Sequence, residues 1–318
     1  HAKSKEAKAR LHFELMHAYE GRNLPKTFSH GQKAYALARE HASPGLLAEI
    51  QIDLCGLMAR KGDAQAALDT LLRNGLAQAR KLKLDTLIPQ AHGHIAVALI
   101  TSQTTDSAHY HFDRAIALAD SLGDIRKTAN YTTNKAFAYM TQSNYPKGIE
   151  TGFEAVALYE SLQDSTGIGD TYQTIAIMYD QWGNPNDAMQ YFREALRYVK
   201  ASGNIRKVSE LYNSIGMVLK KQQQPDSALT YFRKAINKAR ELQAPRSIAI
   251  PMLSMAELYE QEGQYQQSLK STRKAMARLQ KINYTYGLTY GYLNYGKIYQ
   301  HLGQYPKALE NFRKSLEG

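Results

Sequence analysis

The sequence holds one cysteine and one tryptophan in 318 residues. A lone cysteine excludes an internal disulfide framework and any Cys-x-x-Cys metal site. The longest clean apolar run, Ile95 to Ile100, is far short of the ~20 residues that a membrane-spanning helix needs. No basic segment followed by an apolar one stands at the start, so no targeting segment is legible. No stretch alternates with period two over a strand length, which argues against a sheet. Carboxylates are the scarcer charge: 29 Asp and Glu stand against 40 Lys and Arg, a formal net charge of +11. Hydrophobic residues at 43% and charged residues at 22% are the proportions of a folded chain, not a disordered one. None of this separates cytoplasm from periplasm.

Motifs that carry chemistry are also missing. There is no GxxxxGK[ST], GxSxG, HExxH or EF-hand pattern. Gly167-Ile168-Gly169 is half of a dinucleotide fingerprint, without a preceding strand or third glycine, and reads as a helix-start loop. His92-x-His94 and His109-x-His111 have a spacing of two, which points paired side chains about 200° apart on a helix, so neither pair chelates alone. A cross-helix site built from His109 and Asp113 stays open. Asn130-Tyr131-Thr132 and Asn283-Tyr284-Thr285 match the glycosylation sequon by chance. We therefore expect no catalytic residues, no metal and no cofactor. Cys55 reads as a small core residue.

What the sequence has is a period of forty. Ala108, Gly148, Ala188, Ala228, Ser268 and Ala308 are all small, as are Ala115, Ala155, Ala195, Ala235, Ala275 and Ser315. Phe112, Phe192, Phe232 and Phe312 stand four residues after the first column, with Gly152 and Thr272 as exceptions. Ala96, Ala136, Ala176, Gly216, Ala256 and Gly296 form another column, followed three residues later by Leu99, Tyr139, Tyr179, Leu219, Tyr259 and Tyr299. Small residues at i and i+7 with an aromatic at i+4 share one face of a helix. The breaks Gly62-Asp63, Gly123-Asp124, Gly183-Asn184-Pro185, Gly203-Asn204, Gly263-Gln264 and Gly303-Gln304 fall between the columns as helix stops. Each unit is thus a pair of antiparallel helices, A then B, in an all-α chain.

These residues carry a resemblance. Tyr212-x2-Ile215-Gly216-x2-Leu219 with Ala228-x3-Phe232-x2-Ala235 resembles the tetratricopeptide repeat signature. Tyr172-x2-Ile175-Ala176-x2-Tyr179 with Ala188-x3-Phe192-x2-Ala195, and Tyr292-x2-Tyr295-Gly296-x2-Tyr299 with Ala308-x3-Phe312, repeat it. The resemblance covers residues 44–318, about seven units with the last cut short, after a degenerate first unit at 1–43. It departs from the common pattern in its period, forty against about 34, and in lacking the proline near the end of helix B, where Asp120 stands in one unit. The longer period looks like that of kinesin light chain and of bacterial regulators. The resemblance implies an α-α superhelix, a single right-handed solenoid of about eight helix pairs over 1–318.

In the resembled repeats the A helices line a concave groove. One beyond the Ala/Gly column lie Val97, Phe137, Ile177, Met217, Glu257 and Lys297, and just before it Asn134, Gln173, Thr174, Asn213, Ser214, Ser254 and Asn294. From these, Asn134, Phe137, Gln173, Ile177, Asn213, Met217, Asn294 and Lys297 are the candidate groove for a protein or peptide, because amides both donate to and accept from an extended backbone. The same apolar stripe could instead pack between adjacent repeats. Charge is uneven: residues 221–318 carry 15 basic and 7 acidic side chains. Part of that excess is a ladder, Arg233-Lys234, Arg273-Lys274 and Arg313-Lys314, the candidate contact with an anionic membrane surface or an acidic partner. Against this stands a solvated outer face paired with acidic neighbours. No nucleic acid is expected, since the tyrosines fall on core columns.

Tandem repeats of this kind resemble the sensor regions of bacterial signalling proteins that precede a membrane helix and a histidine kinase. The sequence runs only about 15 residues into its last B helix with no polar capping helix, which fits a piece of such a protein. A membrane-anchored parent would place the module in the periplasm. The alternatives are a cytoplasmic peptide-responsive regulator of the phosphatase type and an assembly scaffold with no signalling role.

Overall fold

The computed structural model describes residues 2–20, 24–61, 63–102 and 106–317. Gly62, in the first expected break, lies outside them. All regular structure among the described residues is helical. The chain falls into two compact units, residues 1–164 and 165–318. Unit 1 holds the antiparallel pairs α1 (Ala2–Tyr19) with α2 (Leu24–His41), α6 (Ile88–Thr101) with α7 (Asp106–Ser121), and α8 (Ile125–Thr141) with α9 (Tyr145–Ser161). Its second pair sets α3 (Pro44–Lys61) against an arm broken into α4 (Ala64–Ala66), a π-helical stretch (Ala67–Leu72) and α5 (Arg73–Lys81). Unit 2 pairs α10 (Ser165–Gln181) with α11 (Pro185–Ala201), and α12 (Ile205–Lys221) with α13 (Pro225–Glu241). It continues with α14 (Pro245–Gln261) against α15 (Tyr265–Lys281) and α16 (Thr285–His301) against α17 (Tyr305–Leu316).

The helices begin and end where local chemistry tells them to. Asp124 and Asn204 cap α8 and α12, accepting from the backbone N–H of Lys127 at 3.0 Å and Lys207 at 3.2 Å. Proline opens α9, α11, α13, α14 and α17 within the first two positions, where its missing N–H is not needed. From α7 to α16 each arm closes on a left-handed residue, and these recur every twenty residues from Gly123 to Gly303. The N–H that follows reaches back to the last turn, as in Asn184 to Tyr179 at 2.8 Å and Gln264 to Tyr259 at 2.7 Å. Glycine serves at 123, 183, 203, 263 and 303, while Ser143, Gln163, Gln223, Gln243 and Asn283 hold the same conformation with φ between 48° and 58°.

A side chain with a Cβ resists that conformation by roughly 1–2 kcal/mol. Gln243→Gly is therefore expected to raise the unfolding free energy by about 1 kcal/mol, after the greater chain entropy of glycine is subtracted. Gly263→Ala, whose new Cβ would meet nothing within 4 Å, should lower it by a similar amount through φ alone. Urea midpoints of the two variants moving in the same direction would refute this account.

The core follows the columns. Ala96, Ala136, Ala176 and Ala256 are fully buried, and Phe112, Phe192 and Phe232 are among the largest fully buried side chains. A Cβ placed on Gly216 would come within 2.6 Å of the Phe232 ring, and one on Gly296 within 2.5 Å of Phe312. The small residue of helix A thus makes room for the aromatic of helix B. Cys55 is buried, its thiol turned to the Ala67 carbonyl at 3.6 Å and its pKa pushed by burial to about 12, so it is an unreactive core group. Gly167 and Gly169 correct one expectation: they lie inside α10, not in a loop. Close packing is the reason, since a Cβ on Gly169 would come within 2.5 Å of Val199.

Candidate functional site

In unit 2 the A helices α12, α14 and α16 contact one another in sequence. Their shared face carries a polar network. Lys220 of α12 pairs with Glu257 of α14 at 2.8 Å, and the hydroxyl of Tyr290 on α16 donates to the same carboxylate. Burial alone would raise the Glu257 pKa, but these two partners and the nearby Lys297 outweigh it and hold the carboxyl below its usual range. Lys221 is bound to Asp180 of α10, donating to its carbonyl at 2.9 Å. Beside this network an open cavity of about 740 Å³ is lined by Asp180, Met217, Lys220, Lys221, Leu258 and Glu262, among others. Its lining combines apolar side chains, Met217, Pro225 and Leu258, with both signs of charge.

The candidate groove residues take different places. Met217 lines the cavity and is half-buried, as are Gln173 and Ile177 on α10. Asn213, one turn before Met217, is half-buried, and its Oδ1 is fully enclosed with no hydrogen-bond partner among the described residues. Lys297 is half-buried near Glu257. Asn294 is buried, 3% exposed, and its amide donates to the Leu253 carbonyl at 3.3 Å, so it joins two repeats. In unit 1, Asn134 and Phe137 are exposed on α8, Phe137 at 46%.

All six ladder residues, Arg233, Lys234, Arg273, Lys274, Arg313 and Lys314, are exposed on α13, α15 and α17. Lys234 lies over the Tyr231 ring at 4.6 Å, and Lys314 pairs with Glu310 at 2.6 Å. A second row of arginines at A-helix starts is already engaged: Arg126 on Asp164, and Arg246 over the Tyr284 ring at 4.5 Å.

The histidines of unit 1 sort differently from their sequence spacing. His109 stacks on Tyr139 and its Nε2 meets the Gln142 Oε1 at 2.8 Å, while Asp113 pairs with Lys135 at 2.6 Å. The His109 Nδ1 is buried with no partner among the described residues, but no third ligand joins it and Asp113 there. His92 of α6 instead meets His111 of α7, Nδ1 to Nδ1 at 2.9 Å. A cluster that no sequence motif marks surrounds Asp53 of α3. His17 of α1 approaches its carboxylate at 3.0 Å, His94 of α6 at 3.7 Å, and the Gln90 amide donates to it. Among the described residues no group of three or more His, Cys, Asp or Glu side chains could hold a metal ion, and no helix is long and apolar enough to cross a membrane.

Tetratricopeptide repeat family models match residues 127–201 and 207–281, and again 283–317, more than half of the chain. The chain belongs to the tetratricopeptide repeat family. No curated protein matches it significantly. Among solved structures, aspartyl phosphate phosphatase F from Bacillus subtilis is similar at 15% identity and a TM-score of 0.63, over 88% of this chain and 72% of that one. A Rap protein complexed with competence and sporulation factor is similar at 11% identity and a TM-score of 0.59, over 100% of this chain and 98% of that one. A signal transduction ATPase with a tetratricopeptide repeat sensor, from Pyrococcus horikoshii, is similar at 13% identity and a TM-score of 0.63, over 97% of this chain. The chain spans about half of that ATPase, 47% of its length. At these identities the tetratricopeptide repeat fold is what is shared.

Proposed function

We propose that this tetratricopeptide repeat chain binds a protein or peptide segment along its A-helix face. We place the module as the sensory or interaction region of a larger bacterial signalling protein, such as a sensor histidine kinase. The observation that carries the binding reading is Asn213. Its Oδ1 is a buried acceptor without a partner among the described residues, one turn from the Met217 that lines the open cavity. Native structures rarely leave such an atom unmatched, and because it is fully enclosed a ligand N–H reaches it only by displacing the side chains that cover it. Gln173 and Ile177 on α10 are half-buried on an A helix of the same unit, and unit 1 by itself offers an exposed amide and ring, Asn134 and Phe137 on α8. The mixture suits an extended backbone with alternating apolar side chains.

Peptide-array screening followed by calorimetry on the best sequences tests the reading. Asn213→Ala should weaken binding about tenfold while leaving stability unchanged or slightly raised, because it removes an unsatisfied polar atom. Met217→Glu should weaken it further. An array with no binder, or a binder indifferent to both substitutions, would sink the proposal. A second reading is a cytoplasmic peptide-responsive regulator; the Rap protein likeness, which spans 98% of that chain, favours it. The gene sequence after residue 318 tests the first reading: an apolar segment followed by kinase motifs supports the sensor, and a stop codon favours an assembly scaffold.

A further inference from the structure

The outer side of unit 2 carries an organised basic face. On α15 the charged residues are Lys270, Arg273, Lys274, Arg278 and Lys281, with no carboxylate in the helix. Their spacings of three, one, four and three confine them to about 140° of the helix circumference, at 100° per residue. Lys270, Arg273, Lys274 and Lys281 are exposed, and no ion pair engages any of the five among the described residues. Arg278 turns back to the Lys274 carbonyl at 2.8 Å. On α13, Arg233 and Lys234 occupy the same columns and are exposed. Arg313 and Lys314 continue the columns on α17, where Glu310 takes the lysine. The face fades at α11, where Glu194 replaces the lysine of the column and pairs with Arg197 at 2.7 Å.

Two features set the kind of partner. The cations spread over consecutive helices instead of converging on one point, so they match an extended negative surface better than a single anion. At the far end of α15 the face also turns apolar. Arg278 and Lys281 border a hollow of about 340 Å³ whose other walls include Pro245, Ile248 and Ala277. Leu242 and Ile282, the residues just after α13 and α15, are 39% and 36% exposed. Cations beside exposed aliphatic groups suit a lipid interface, where headgroups meet the charge and acyl carbons meet the apolar edge. The groove is not involved.

We propose that the outer face of α13 and α15, with the apolar edge at Leu242 and Ile282, docks on an anionic bilayer surface. Attraction of this kind is screened by salt and scales with the number of cations near the headgroups.

Vesicle co-sedimentation of the full chain tests it. Binding is expected to phosphatidylserine-containing vesicles at low salt, to fall at high salt, and to be absent with phosphatidylcholine alone. The triple variant Lys270→Glu, Arg273→Glu, Lys274→Glu should weaken it about a hundredfold, since each cation contributes on the order of a factor of five. A charge-matched control, Lys8→Glu, Arg10→Glu, Arg39→Glu, changes exposed positions of unit 1 and should retain nearly full binding. Circular dichroism verifies that both variants fold. Equal loss in the two triples would reduce the effect to net charge and overturn the proposal. So would equal binding to neutral vesicles, no binding at low salt, or tighter binding to duplex DNA or to an acidic peptide.

Discussion

Replacing Phe232 with alanine is expected to lower the unfolding free energy by about 3–5 kcal/mol, the usual range for emptying a buried aromatic site. The ring is fully buried, and it fills the space that Gly216 leaves on the facing helix. No side chain at 216 can swing in to close the resulting void, so the cavity persists and the upper part of the range applies. Phe312 is the natural comparison. It sits at the same register against Gly296, but it is only partly buried, so Phe312→Ala should lose distinctly less. Urea midpoints measure both. Stacked repeats share stability with their neighbours, so hydrogen exchange in Phe232→Ala should rise first in α12 and α13. Losses of equal size at 232 and 312 would show that the column does not carry the core.

That column was legible because the helix pairs are equal in length. With seventeen-residue arms from α10 to α16 and three-residue turns between them, every structural position recurs after forty residues, and a packing demand becomes a vertical pattern in the sequence. The turns were half legible. Glycine announces five of them, but Gln163, Gln223 and Gln243 adopt left-handed backbone that nothing in glutamine suggests. The bond from the following N–H back to the last helical turn and the packing of both arms impose it. The π-helical stretch Ala67–Leu72 left no sign either, since its residues are ordinary helix formers.

The site was legible in position and less so in role. The ladder residues are exposed as their register requires. Asn213 and Asn294 stand three and two residues before the small column, about 100° apart around their helices, and their roles differ: one keeps a buried oxygen with no partner among the described residues and the other ties two repeats. What decides is the neighbouring backbone, in this case the Leu253 carbonyl. A signal for such ties exists in the spacings. Asp53 with Gln90, Asp170 with Lys207, and Lys220 with Glu257 are 37 residues apart. Asp53 with His94, Asp180 with Lys221, and Glu260 with His301 are 41 apart. These are one repeat less three residues and one repeat plus one; one repeat less seven, Glu257 with Tyr290, is a third way in which adjacent A helices bring side chains together.

Asp53 is where that spacing rule has its largest energetic consequence. Burial would raise its pKa, yet the contacts with His17 and His94 reverse the effect and hold it at about 2, while the same contact lifts His17 to about 10. Asp53→Ala should cost about 3 kcal/mol at neutral pH, the low end for breaking a buried ion pair, because the half-exposed His17 can turn to water and limit the loss. Its pH signature follows from the signs. His17, raised from 6.5, contributes fully below pH 6.5, and its share disappears as pH climbs through about 10. Asp53, lowered from 3.8, contributes above pH 3.8 and its share disappears as pH falls through about 2. His92 acts in the opposite direction from His17. Burial, then the adjacent His111, Arg80 and Arg114, depresses it to about 4, so protonation is resisted in the folded state and stability falls as pH drops from 6.5 toward 4. His111 and His12 are also lowered, first by burial. Unit 1 should therefore lose hydrogen-exchange protection between pH 6.5 and 4, while unit 2, whose histidine is His301, keeps its own. In Asp53→Ala the alkaline loss above pH 6.5 should shrink to the part that Glu20, the second partner of His17 at 3.6 Å, still supports, and the acid loss of α6 and α7 should remain. Uniform acid loss over both units, or an alkaline limb unchanged by the substitution, would contradict the assignment of these windows to Asp53 and the histidines.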